Sequence, residues 1–207
     1  MSEIFKDFNE DQATSIGSQS SAVTGPGVFK IDDCKVYVQN ERTIAEFTLA
    51  PKDGRKTLKF VKLLLTKEDK TAGFGANQWN AIRGLLNLKS LETLKIETVQ
   101  EDVMNVMTNV NYIRGMEGKE IGLLMQRYNW GNSDDGRYYK YSMNILLPFD
   151  KITKQTYAEK KNNQAAKALD KRVPNTHDKT ADGLSIPTTY QSSTPKSEVK
   201  DTPGDVW

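Results

Sequence analysis

Two β-patterned runs, Lys119–Trp130 and Arg137–Leu147, flank the turn-rich stretch Asn132-Ser133-Asp134-Asp135-Gly136, and nothing else in the chain restricts its fold as tightly. With those five residues as the loop, Gly131 faces Arg137 and the numbers of every cross-strand pair add to 268. Met125 then lies opposite Met143, Leu123 opposite Ile145 and Ile121 opposite Leu147, an apolar face. On the other face Trp130 meets Tyr138, Tyr128 meets Lys140 and Gln126 meets Ser142. A slip of one residue mixes the two sets, because successive side chains point to opposite faces of a strand. Tyr139 and Tyr141 share the side of Met143 and Ile145, which assigns them to the core.

The rest of the body supplies partners for this hairpin. Gly27–Val38 and Thr43–Leu49 read as strands, and the turn residues Pro51-Lys52-Asp53-Gly54 lead the second into Lys56–Thr66, an antiparallel meander. Asn77 is a candidate cap for a helix whose Trp79, Ile82, Leu85 and Leu86 share one face, with Lys89 closing its last turn and Arg83 facing solvent. Residues 90–117 are ambiguous: Leu94–Val99 has strand character and Val103–Tyr112 has helical character. Lys154–Arg172 reads as a polar surface helix. Three strands, an inserted helix and two further strands predict a mainly β fold, a five-stranded barrel of the oligonucleotide-binding (OB) type, with an open sandwich as the alternative.

Charge and composition divide the chain. Residues 1–27 hold four acids against one lysine, residues 173–207 five acids against three lysines, and the 25 Lys and Arg of the middle outnumber its 18 Asp and Glu, a net +7. A basic body between acidic ends suits a polyanionic partner. The expected organisation is an acidic flexible arm over 1–26, the barrel over 27–150, the helix over 151–172 and a disordered tail over 173–207, where only 8 of 35 residues are apolar or aromatic. In the arm, Met1, Ile4, Phe5 and Phe8 recur at helical spacing, a patch that either frays or docks on a second copy. The tail ends in Asp201, Asp205, Val206 and Trp207, an acidic aromatic hook for a basic-rimmed pocket on a partner protein. No apolar run approaches the roughly 20 residues of a membrane-spanning helix, and the acidic start lacks the pattern of a secretory leader, so a cytoplasmic location is expected.

Rings interleaved with cations on one hairpin face match what a single-stranded nucleic acid needs. Any base stacks on Tyr128, Trp130 or Tyr138, while Arg137 and Lys140 follow the phosphates; ordinary cross-strand aromatic pairs are the plainer alternative. Arg55, Lys56, Lys59 and Lys62 form a second cationic group, either phosphate contacts or a solvated face. Phe74, between Gly73 and Gly75, is either a ring that folds over a base or a local packing plug. Signatures of catalysis are missing: there is no phosphate loop, no H-E-x-x-H, no G-x-S-x-G and no C-x-x-C. The lone Cys34 reads as a small buried residue and the lone His177 as a solvated one, so neither a disulfide nor an ordinary zinc site is expected.

The strand Gly27-Val28-Phe29-Lys30, the stretch Gly73-Phe74-Gly75-Ala76-Asn77-Gln78-Trp79-Asn80-Ala81, the approach Gly118-Lys119-Glu120-Ile121-Gly122 and the acidic aromatic terminus together resemble phage-encoded single-stranded DNA-binding proteins of the OB fold. The resemblance covers about residues 27–150 and the last seven. It implies sequence-independent coating of single-stranded DNA during replication and recombination in the cytoplasm of an infected cell, without catalysis or cofactor, and contact with replication or recombination proteins through the tail. The alternative is a non-catalytic interaction or assembly protein of a virion or replication complex.

Overall fold

The turn residues do build the expected meander. In the computed structural model, which describes residues 23–186, β1 (Gly25–Gln39), β2 (Arg42–Pro51) and β3 (Leu58–Thr66) run antiparallel in sequence order. Asn40 and Glu41, with φ of 49° and 61°, make the two-residue turn between β1 and β2, the positive-φ geometry that matches strand twist. After β3 come α1 (Ala76–Leu85), the single turn α2 (Leu91–Leu94), the hairpin β4 (Ile96–Val103) and β5 (Val106–Ile113), and the long pair β6 (Glu120–Asn132) and β7 (Tyr139–Phe149). The segment Val103–Tyr112, read above as having helical character, is therefore hairpin, turning at Met104 and Asn105, both with positive φ.

β1 organises the sheet. Its first half pairs with β6, from Gly25↔Met125 to Lys30↔Glu120, and Lys35 and Val36 pair with β5. A bulge at Asp32 separates the two halves, and bulges bend strands. The result is an eight-stranded sheet, antiparallel except for the two-residue β8 (Lys179–Thr180). The expected closed barrel is not formed by hydrogen bonds: β3 and β7 pack together without a ladder among the described residues. At the C-terminal end of β3 the 71–75 loop takes carbonyls that a closing strand could otherwise use. Gly73 N–H donates to Leu65 O and Gly75 N–H to Leu64 O, both at 2.8 Å.

Inside, Ile31, Phe47, Leu49, Ile121, Leu123 and Met125 are among the residues that form the core, with Ile82 of α1 laid over it. Cys34 is fully buried, which pushes its thiol pKa up. Helix α1 has Gly75 at its N-cap position and not Asn77, and ends before Lys89. Its Arg83 does not simply face solvent: Nε donates to Leu88 O (3.1 Å) and the guanidinium to Lys89 O (3.2 Å), satisfying carbonyls beyond the helix end.

The expected surface helix is two short ones, α3 (Tyr157–Lys161) and α4 (Ala168–Arg172), joined through buried Glu159. Its Oε2 accepts from Thr156 N (2.8 Å) and Oγ1 (2.9 Å), its Oε1 from Lys167 N and Ala168 N (2.8 Å each). Burial works to raise the carboxyl pKa, but these hydrogen bonds outweigh it and hold the group at about 2, below the ordinary 4.5. A depressed folded-state pKa stabilises fully above the unfolded value and loses that contribution as pH falls from about 4.5 towards 2. Glu159→Ala is expected to cost about 2 kcal/mol in urea unfolding at pH 7, with the gap to wild type narrowing at pH 3.

Residues 173–186 are a correction to the disordered tail, and Gly25-Pro26, expected in the flexible arm, open β1. β8 lies parallel to β6 at Tyr128 and Asn129, on the side where β1 has not yet begun. Gln126 Nε2 donates to His177 O (2.9 Å), Ala181 N to Asn129 O (2.9 Å) and Asn129 Nδ2 to Thr180 Oγ1 (3.2 Å). Few apolar residues are needed to hold this strap, because buried polar groups of β6 require its hydrogen bonds. The N-terminal patch of Met1, Ile4, Phe5 and Phe8 and the tip Asp201, Asp205, Val206 and Trp207 lie outside the described residues. No described helix is long and apolar enough to cross a membrane.

Candidate nucleic-acid interface

The β6–β7 hairpin pairs two residues away from the expected register in its middle and three away on either side. Met125 faces Ile145, Gln126 faces Asn144 and Tyr128 faces Ser142, so pair numbers add to 270 through this stretch. Below Met125 a further irregularity makes the offset three, with Leu123↔Pro148 and Leu124↔Leu147, so the expected pairs of Leu123 with Ile145 and Ile121 with Leu147 are not formed. Residues 121–126 are all buried, Gln126 included, and the expected separation of an apolar from a water-facing polar side is not kept there. Near the turn the ladder breaks at Trp130, which is left unpaired between Asn129↔Tyr141 and Gly131↔Lys140. Trp130 therefore does not meet Tyr138. It is 53% exposed in the bulge, and Tyr138 is exposed in the turn, its N–H donating to Ser133 Oγ (3.0 Å). Tyr128 is half-buried beside the strap. Lys140 and Arg137 are exposed next to the turn acids, with Lys140 Nζ 2.8 Å from Asp134 and Arg137 Nε 3.7 Å from Asp135.

Tyr139 is buried as expected, but Tyr141 is 42% exposed and is not a core residue. Met143, its neighbour on the same face, is the last residue of β7 towards the turn to join the core cluster, so Tyr141 sits at the rim. The Arg127 guanidinium stacks on one side of its ring, 4.4 Å from the centroid.

Across from it lies a residue that alternation along β3 hides. Leu58, Val61 and Leu63 are buried, and the three-residue step from 58 to 61 places Lys59 and Phe60 together in a bulge, both exposed. Phe60 is 70% exposed, with φ of 60°, the one aromatic among the described non-glycine residues with positive φ. Bulky residues adopt that conformation at a cost. Phe60 and Lys59 line an open depression of about 250 Å³ with Tyr141, Ser142 and Met143. End to end with it, a second depression of about 370 Å³ runs between Lys62–Leu64 of β3 and Asn144–Leu146 of β7, reaching Phe74 and Gln78. Each is at or near the lower limit of an enclosed small-molecule site, and together they form a trough along the unclosed β3–β7 seam.

Phe74 is 84% exposed at the far end of this trough, not a packing plug, and Lys67 Nζ stands 5.5 Å from its ring centroid. Its two glycines hold it there: a Cβ on Gly73 would fall 2.2 Å from Leu64 O, and one on Gly75 2.7 Å from Leu63 Cβ. Only a loop without side chains at both places reaches β3 closely enough to bond its edge.

The second cationic group divides. Arg55 is 12% exposed at its side chain and forks onto Asp53, with Nε 2.8 and 2.9 Å from the two carboxylate oxygens, which keeps that acid's pKa low. It locks the turn and is not a free phosphate contact. Lys62 Nζ lies 3.2 Å from buried Glu46, which also accepts from Tyr37 Oη (2.9 Å) and faces Lys35 at 3.5 Å. Burial works against the Lys62 ammonium, but its bonds to Tyr37 and Glu46 outweigh that and hold its pKa above the usual lysine value. Lys62 is thus a charged wall of the trough with a structural duty. Lys56 and Lys59 are exposed and meet no carboxylate among the described residues.

Comparison with protein-family models, with curated proteins and with solved structures finds no match to this chain.

Proposed function

We propose that the protein binds single-stranded DNA along the β3–β7 trough, non-catalytically and with base stacking as the main source of affinity. One observation carries this reading: Phe60 and Tyr141 line one depression of the seam and Phe74 the next, with Lys59 in the first, Lys62 in the second and Lys67 beyond Phe74, where Glu68 and Asp69 also lie. Stacking on rings accepts any base, while ammonium groups at this spacing meet the phosphates. Trp130, Tyr138 and Lys140 lie beyond the Tyr141 end and extend the path onto the hairpin turn. We read the architecture as an OB-type barrel opened at one seam: meander β1–β3, helix α1, then β6 and β7 returning to β1, with β4–β5 inserted.

The test is a titration with dT15, followed by tryptophan fluorescence at increasing salt. Quenching is expected, with affinity falling at a log–log slope of about −0.7 per phosphate neutralised. No binding at low salt would overturn the reading. Lys59→Ala is expected to reduce the magnitude of the slope by roughly 0.7, and Trp130→Ala to weaken all single strands alike by about 1–3 kcal/mol.

A second reading, a protein-assembly role, rests on the exposed Val38, Met104, Val106 and Met107 at the opposite hairpin ends. Self-association that is abolished by Met104→Ser and insensitive to single strands would favour it.

A further inference from the structure

One group in the trough has hydrogen-bonding capacity that the fold leaves unused. Gln78 Oε1, in the first turn of α1, is buried and meets no partner. Gln78 is one of the residues that line the second depression, with Leu63 and Leu64 of β3 and, across the seam, the exposed Asn144 with Ile145 and Leu146. Neither side chain has a hydrogen bond among the described residues. Folded proteins rarely leave a buried acceptor unmet, because the lost hydration is not returned. Phe74 stands at the mouth of the same depression. An open depression with an exposed ring at one end, a buried unpaired amide oxygen in one wall and an exposed amide across from it has the features of a recognition site for a flat, polar-edged group.

We infer that this part of the trough is a subsite for one unstacked nucleobase, with Phe74 stacking on its face and the Gln78 carboxamide, opposite Asn144, hydrogen-bonding its edge. Adenine is the base to which the inference commits: its two-ring face gives Phe74 a larger stack than a pyrimidine does. Its N6 amino group donates while its N7 accepts, in the spacing at which one carboxamide makes both bonds, whereas the same edge of guanine offers two acceptors. Either orientation of the amide presents one donor and one acceptor. The inference rests on the single-strand reading and sharpens it, since stacking elsewhere along the trough takes any base while this slot favours one. Lys62 and Lys67 on the flanks would hold the phosphates on either side of the inserted nucleotide.

The experiment measures the affinity of the whole chain and of Gln78→Leu for three labelled 15-mers, dT15, d(TTA)5 and d(TTC)5, by fluorescence anisotropy. Wild type is expected to bind d(TTA)5 ~5-fold or more tightly than the other two. Gln78→Leu is expected to bind all three alike, at the wild-type dT15 level. Because leucine replaces an unpaired buried amide, its thermal midpoint should equal or exceed that of wild type, so a folding defect does not imitate the result. Asn144→Ala should reduce the preference in the same direction. Equal wild-type affinities for the three strands, or a preference that survives in Gln78→Leu, would overturn the subsite and leave single-strand binding standing. Binding of none of the three would overturn both.

Discussion

With Phe60 and Tyr141 both changed to alanine, the protein is expected to bind dT15 about 2–6 kcal/mol more weakly, from about 1–3 kcal/mol for each lost base–ring stack, while its unfolding midpoint stays close to that of wild type. Phe60 is 70% and Tyr141 42% exposed, so each contributes less buried area to folding than a core ring does. Tyr141 loses its Arg127 contact in the variant, worth only about 0.5–1 kcal/mol at an exposed site. Phe60 permits a sharper form of the test. Its left-handed backbone costs about 1–2 kcal/mol for a residue with a Cβ, whereas glycine adopts it freely and loses roughly 0.5–1 kcal/mol through its greater freedom when unfolded. Phe60→Gly should therefore fold as well as wild type, or better, and bind more weakly. Affinity unchanged in the double variant, or lost only in step with thermal stability, would show that the rings are not the binding surface.

The opposite separation is expected for Trp79→Ala. Trp79 sits on α1 against the core, with its ring centroid 6.1 Å from that of Phe47 at an interplanar angle of 57°. Removing a large ring from such a site costs about 3–5 kcal/mol, and the partial exposure of Trp79 sets the expectation near 3 kcal/mol. For a domain of this size that lowers the thermal midpoint by roughly 6–12 °C. Well below the midpoint, dT15 affinity should change little, because Trp79 lines neither depression of the trough. Differential scanning calorimetry and a 10 °C titration check the two halves separately. A binding loss as large as that of the Phe60 and Tyr141 variant, with stability intact, would show that the roles of the rings have been exchanged.

The comparison of Tyr139 with Tyr141 shows how far local pattern reaches. The two flank Lys140, alternation assigns both to the core, and only Tyr139 is buried, at a place of its own outside the core cluster. Alternation reports which way a side chain points, but burial also requires that something lie on that side. The core ends at Met143, and Tyr141 projects past it. Phe60 was legible in principle, since the step from Leu58 to Val61 breaks the period of two and marks a bulge. Arg55 was misjudged for a different reason: a cation two residues from Asp53 has its partner in the turn itself. Gln78, on a helix whose apolar face dominates the pattern, carried no signal of its unpaired oxygen.

What the chain's own order determined was local: the meander β1–β3 and the strands β6 and β7, the turns that join them, and the helix after the third strand, but not the β4–β5 hairpin. Those follow from periodicity and turn chemistry, which act over a few residues. The exact register, the open seam and the fate of residues 173–186 were decided by tertiary structure. Each depends on which backbone groups are still unpaired once distant segments have met. The 71–75 loop claimed the edge of β3, the strap claimed the edge of β6, and the trough lies in the space that remained.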